Sequence, residues 1–193
     1  MSKKQVAIDV YPFHDEESGD RKGWLFELAR DRLAFSLLNE GETGCKAAKA
    51  LQVSSLTQET IDDDAILWIA SEVKFTDTNI RTGKSKQTTP WGRRKVIGFA
   101  SGTIVEWKAA EQKTKQRGFE IENLCGGEDE GIETALLAAI EGYWKSKVKT
   151  TVKELFTNKG TGEQPSTKFY RLHGFKEDDD SNSWLRKHIT KKK

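Results

Sequence analysis

A chain of 193 residues, 35% apolar and 32% charged, can bury one full core and is expected to fold as a single domain over residues 1–180, followed by a basic tail at 181–193. Its 32 Lys and Arg against 30 Asp and Glu leave a net charge of +2, which excludes a global field drawing it to nucleic acid or to an acidic membrane; such contacts would need a local patch. Cys45 and Cys125 stand far apart with no CxxC pattern, which argues against a metal knuckle or a disulfide scaffold. With no apolar run near the roughly 18 residues of a membrane span and no secretory core after Met1-Ser2-Lys3-Lys4-Gln5, the expected compartment is the cytoplasm.

Along the chain, Val6, Ile8 and Val10 alternate with Ala7, Asp9 and Tyr11, the period of a half-buried first strand. Residues 23–39 read as a helix bearing Trp24, Leu25, Leu28, Phe35 and Leu38 and stopped near Gly41, and residues 46–52 as a second helical piece. Residues 65–70 form a compact apolar run of the length of a buried strand, preceded by the solvated Asp62, Asp63 and Asp64. Residues 81–95 hold six basic side chains and no acid, and are expected as an exposed loop. Within it Trp91, Arg93, Arg94 and Lys95 are the candidate contact for a protein or nucleic-acid partner, an aromatic face beside cations that suit phosphates or acids. A second basic stretch, 108–117, would emerge at the other end of an antiparallel meander, so the two need not make one patch.

The C-terminal half is the more informative. A strand-like run at 118–125 ends in Gly126-Gly127, and Ile132, Ala135, Leu136, Ala139, Ile140 and Tyr143 then recur at the three-and-four spacing of one helical face. Acids at 128–130 and Glu133 crowd the first turn of that helix and Lys145 and Lys147 the last, complementing its dipole. A strand leading into a helix N-terminus leaves backbone N–H groups pointing outward, a site for a phosphate-bearing ligand. Residues 149–156 read as a strand by Thr150, Thr151 and Val152, while Lys153 and Glu154 leave the assignment open. Pro165 at the first position and Gly174 at the stop frame a short helix, with Phe175 placed to fold back on Phe169 or Leu172, and with one of Phe169 and Tyr170 facing the core and the other a cleft.

Val96-Ile97-Gly98-Phe99-Ala100-Ser101-Gly102, Phe119-Glu120-Ile121-Glu122-Asn123-Leu124-Cys125, Gly131-Ile132-Glu133-Thr134-Ala135-Leu136-Leu137 and Phe169-Tyr170-Arg171-Leu172-His173-Gly174-Phe175 resemble, in that order, the third strand, fourth strand, cofactor helix and "FYxxxGF" segment of the GNAT superfamily of acyl-CoA-dependent N-acetyltransferases. The resemblance covers residues 90–177 and the first half only by order of elements. It implies an α/β fold with a mixed, mostly antiparallel sheet flanked by helices and a V-shaped splay between strands four and five. It also implies acetyl-CoA as cofactor, held by Leu124, Cys125, Gly126, Gly127, Gly131, Ile132 and Phe169. Tyr170 would protonate the departing thiolate, and Glu120 or Glu122 would take the proton of an amine acceptor, directly or through water. One departure stands out. The family's pyrophosphate loop reads Gln/Arg-x-x-Gly-x-Gly/Ala, and here Glu128, Asp129, Glu130, Gly131, Ile132 and Glu133 keep only its first glycine, with carboxylates where a diphosphate would lie.

Other chemistries fall away. His14, His173 and His188 lack ligand spacing, so no metal is expected; there is no Gly-x-Ser-x-Gly elbow, and Gly160-Thr161-Gly162 is too short for a Walker loop. Two readings remain, a divergent N-acyltransferase and a non-catalytic scaffold that binds its partner through the basic loop.

Overall fold

The computed structural model describes residues 4–14, 23–39, 45–53, 55–57, 64–74, 90, 93–107, 116–127, 130–147, 151–159, 161–178 and 181–189. In chain order these form β1 (Lys4–Pro12), α1 (Gly23–Asn39), α2 (Ala47–Ala50), β2 (Ile66–Lys74), β3 (Val96–Trp107), β4 (Gln116–Cys125), α3 (Glu130–Ser146), β5 (Val152–Asn158), α4 (Thr167–Leu172), β6 (Lys176–Asp178) and β7 (Ser181–His188). The strands make one sheet in the order β1-β2-β3-β4-β5-β7-β6. Every pair is antiparallel except β4 with β5. That one parallel step needs a crossover, and α3 supplies it.

Alternation along β2 sorts the core into two layers. Ile66, Trp68 and Ala70 face a cluster built with Ile132, Leu136, Leu137, Ile140 and Trp144 of α3 and with Phe169 and Tyr170 of α4. Leu67 and Ile69 face the opposite layer, made with Phe26, Ala29, Leu33 and Leu37 of α1 and Ala50 of α2. The apolar period of the α3 sequence therefore packs as expected. In α1 the outcome differs: Trp24, Leu28, Phe35 and Leu38 are between 48% and 68% exposed, and the buried stripe is Phe26, Ala29, Leu33 and Leu37. The helix carries two apolar stripes, and the one with smaller residues fits against the sheet.

Three expectations are corrected. Residues 181–188 are not a tail but β7, inserted between β5 and β6, because the period-two pattern that buries Leu185 underlies the run of basic residues. Pro165 precedes the N-cap instead of opening the helix: Ser166 is the cap, its Oγ accepting from Phe169 N–H at 3.3 Å, while Gly174 (φ 84°) does make the left-handed stop. Cys45 and Cys125 are joined in a disulfide with Cα atoms 6.1 Å apart, which fastens the residues ahead of α2 to the end of β4. A separation of 80 residues carries no local signal of that pairing, since only the fold brings the two together. It overturns the expectation, drawn from their spacing, that the two cysteines take no part in a disulfide. Among the described residues no helix is long and apolar enough to cross a membrane.

Candidate active site at the end of β4

β4 and β5 pair in parallel from Arg117 with Val152 to Glu120 with Phe156, and there the pairing ends. β4 runs on to Cys125 with no β5 partner, so the two strands splay from Glu120 onward. Residues 161–164 fill the opening. Leu124 N–H donates to Glu163 O at 2.8 Å, Glu163 N–H to Asn123 Oδ1 at 2.7 Å and Gln164 Nε2 to Ile121 O at 2.8 Å. The Leu124 donor, expected to face an open crevice, is thus satisfied by the chain itself, as a buried amide must be.

Tyr170 sits in α4 with 2% of its surface exposed, and Phe169 beside it is also buried, so both belong to the core layer and neither is turned out of it. The Phe169 ring lies 4.3 Å from that of His173, and the Phe175 ring 5.0 Å from that of Tyr170. The Tyr170 hydroxyl donates to Gln164 Oε1 and borders a cavity of about 180 Å³ that Thr157, Ser166, Thr167 and Leu185 also line. Burial pushes the phenol well above its usual range, outweighing the lowering by Thr157, and Glu133 adds to the rise. It stays protonated at any physiological pH.

Glu120 lies where the splay begins, and Glu122 two residues beyond it. Glu120 is half-buried, opposite Thr103 of β3 and Phe156 of β5. Two residues before it on the same face, Gly118 makes room for two rings: a Cβ there would stand 2.5 Å from Phe156 Cε1 and 2.8 Å from Trp107 Cζ3. Burial, and secondarily the charge of Glu122, raise the Glu120 carboxyl from 4.5 to about 7. Glu122 is 5% exposed, and its Oε2 accepts from Ser55 N–H at 2.9 Å. It closes the wall that runs from Cys45 through α2.

Of the other candidate cofactor residues, Leu124 and Ile132 are buried in the core, Cys125 is in the disulfide, Gly126 is buried, Gly127 has φ 67° and Gly131 is exposed in the first turn of α3. The acids at 128 and 129 lie outside the described residues, as does Trp91. Arg93 and Lys95 are exposed at the start of β3, the same end of the sheet as Cys125. Arg94 is committed elsewhere, with its Nη1 2.7 Å from Asp9 Oδ2. Glu120, Glu122 and Leu124 thus follow one another along the C-terminal part of β4, with Glu122 turned to Ser55 beyond α2, while Tyr170 lies in the layer of α3 and α4 and reaches β4 through Gln164. Sequence reasoning missed Gly162, Glu163, Gln164, Asn123 and Ser55. The glycine pair of Gly160-Thr161-Gly162 was the available signal, marking a backbone that turns tightly.

No family model matches the chain, and no curated protein matches its sequence. Solved structures do resemble it over nearly their whole length. The KacTA–DNA complex superposes with a TM-score of 0.53 at 13% identity, covering 96% of this chain and 94% of the other. A mutant of the AtaT toxin bound to the C-terminus of the antitoxin AtaR and acetyl-CoA gives 0.50 at 12%, covering 95% and 93%. The same mutant bound to the antitoxin's C-terminus gives 0.50 at 13%, covering 95% and 93%. The strand order, the single parallel pair with its splay, and the helix that follows β4 make this the fold of the GNAT acetyltransferases.

Proposed function

We propose that this protein is a GNAT-like N-acyltransferase whose acceptor is an amine and whose proton acceptor is Glu120. The observation that carries the reading is the half-buried Glu120 carboxyl where the β4–β5 splay begins, held near 7 by burial and by Glu122. A base works best when its pKa lies near the working pH, and an ordinary surface glutamate would be far too weak to deprotonate an ammonium. The edge of β4 from Ile121 to Cys125 is the right support for the amide arm of acetyl-CoA, which when bound would supply the activated acyl group, while the acids of the sequence at 128–130 and Glu133 oppose its phosphates. Residues 161–164 are not compatible with that arm in the position they hold, so the roles derived are those of the chain's own groups. Glu120 takes a proton from the acceptor, Tyr170 keeps its own proton for donation, and the wall pinned by Glu122 and Ser55 shields the acceptor side from water.

The test is consumption of acetyl-CoA in the presence of a panel of primary amines, from small polyamines to lysine peptides. Turnover should rise through an inflection near pH 7 in the natural protein, and Glu120→Gln should lose the inflection along with about 10²-fold or more of the rate. No turnover with any amine, or a variant as active as the natural protein, would end this reading.

A second reading has its own support. A scaffold that binds a protein or nucleic acid needs no open cleft, and Leu124 N–H is already engaged. The exposed Trp24, Leu28, Phe35 and Leu38 of α1 would suit a protein partner, and the similar AtaT toxin is bound to its antitoxin while KacTA is in a complex with DNA. Exchange of Arg93 and Lys95 for glutamate should then abolish partner capture without unfolding the protein.

A further inference from the structure

Glu163 offers β4 both of its backbone polar groups, its C=O to Leu124 N–H and its N–H to Asn123 Oδ1. On one side of it Gly162, with φ +61°, approaches so closely that a Cβ would stand 2.0 Å from Glu122 O and 2.6 Å from Asn123 Oδ1. On the other side the Gln164 amide caps Ile121 O. Beyond the point where β5 departs, this segment serves β4 as its missing neighbour.

We propose, on the acyltransferase reading above, that residues 161–164 are a built-in occupant of the site for the amide-bearing arm of an acyl thioester, and that they must leave Leu124 before a donor can lie along β4. The edge recognises an arm that carries two amides in succession, since one donor and one acceptor are presented side by side and Glu163 answers them with the N–H of one peptide and the C=O of the next. A single N–H cannot serve two strong acceptors at full strength, so the segment and the ligand exclude one another. The segment is also suited to leave. None of Thr161, Gly162, Glu163 and Gln164 has an apolar side chain to anchor it, so its hold is a few hydrogen bonds that an incoming amide replaces in kind. The closed state then lowers the apparent affinity for the donor by the fraction of molecules that are open.

The experiment compares the natural chain with Gly162→Ala, whose methyl cannot fit against Glu122 O, and with Gln164→Ala, which removes the contacts to Ile121 O and to the Tyr170 hydroxyl and keeps the segment's backbone. Acetyl-CoA binding is read by calorimetry and the Leu124 amide by hydrogen exchange. Faster exchange at Leu124 in both ligand-free variants is expected, with acetyl-CoA bound about tenfold tighter by Gly162→Ala and about fivefold tighter by Gln164→Ala, the scale of one or two net hydrogen bonds. Equal affinity across the three proteins overturns the occupant and leaves the acyltransferase reading standing. Leu124 exchange unchanged in both variants overturns it too, because Glu163 then does not hold that amide. Faster exchange with no binding at millimolar acetyl-CoA in any of the three overturns both the occupant and the enzyme.

Discussion

Folding raises the Glu120 carboxyl from 4.5 to about 7, and that shift fixes how stability depends on pH. A group whose pKa is higher in the folded state binds more protons there, so its contribution is fully present below about 4.5 and is lost as pH rises through 7. For a fully buried group the shift would correspond to about 3 kcal/mol, and the solvent that reaches this half-buried carboxyl reduces that to about 1–2 kcal/mol. Urea denaturation of the natural chain and of Glu120→Gln at pH 5, 6 and 8 reads it directly. The variant should match the natural chain at pH 5 and exceed it by about 1–2 kcal/mol at pH 8, because an amide costs the same at both. Glu141, whose burial is outweighed by hydrogen bonds from Lys187 and Lys145, has a lowered pKa and pulls stability the opposite way, but equally in both proteins. A difference that is flat with pH, or that favours the natural chain at pH 8, would refute the burial of the Glu120 carboxyl beside Glu122.

Reduction of Cys45–Cys125 should lower stability by up to about 4–5 kcal/mol, the chain entropy of an 80-residue loop, read as the urea midpoint with and without dithiothreitol; an unmoved midpoint, or two titratable thiols in the untreated protein, would contradict the bond. Gly102→Ala should cost about 3 kcal/mol, since its Cβ would lie 1.9 Å from Glu120 O and 2.8 Å from Phe119 Cζ and must part β3 from β4. Gly142→Ala, with nothing within 4 Å in the exposed middle of α3, is its control and should gain about 0.5–1 kcal/mol by thermal melting.

What could be read from the chain follows from which forces are local. The α3 stripe is a property of spacing, so Ile132, Leu136 and Ile140 fell into the core as their period required. In α1 spacing supports two faces, and the choice between Phe35 and Leu37 is made by the sheet beneath, which the helix sequence does not contain. β5 stayed open because Lys153 and Glu154 spoil its pattern; they are tolerated because Lys153 is exposed and Glu154 meets His188 across β7 at 3.1 Å. The basic run after Ser181 hid an alternating strand behind its charge. In the site, Tyr170 and Glu120 were visible as residue types in the right order, whereas the segment that closes the splay was not, since its grip joins the backbone of Glu163 to the Asn123 side chain and the Gln164 side chain to the Ile121 carbonyl, partners that only the fold brings together.

One side chain links the two walls of the site. The register of β3 and β4 shifts between Ser101, opposite Asn123, and Gly102, opposite Ile121, so Glu122 is an extra residue in β4. Such a bulge swings the next side chain out of the regular alternation. Asn123 is fully buried there, with Nδ2 donating to Ala50 O at 3.0 Å and Ser101 Oγ at 2.9 Å and Oδ1 accepting from Glu163 N–H at 2.7 Å. Only a primary amide has both polarities at that reach: a carboxylate would turn an oxygen onto the Ala50 carbonyl, and leucine would strand the Glu163 N–H and the Ala50 carbonyl. The amide thus joins the wall that begins at the Cys45 disulfide to the segment lying on Leu124. Whatever displaces that segment has to return an N–H to Asn123 as well as an acceptor to Leu124, which selects for an arm with two amides in succession over an ester or a bare hydrocarbon arm.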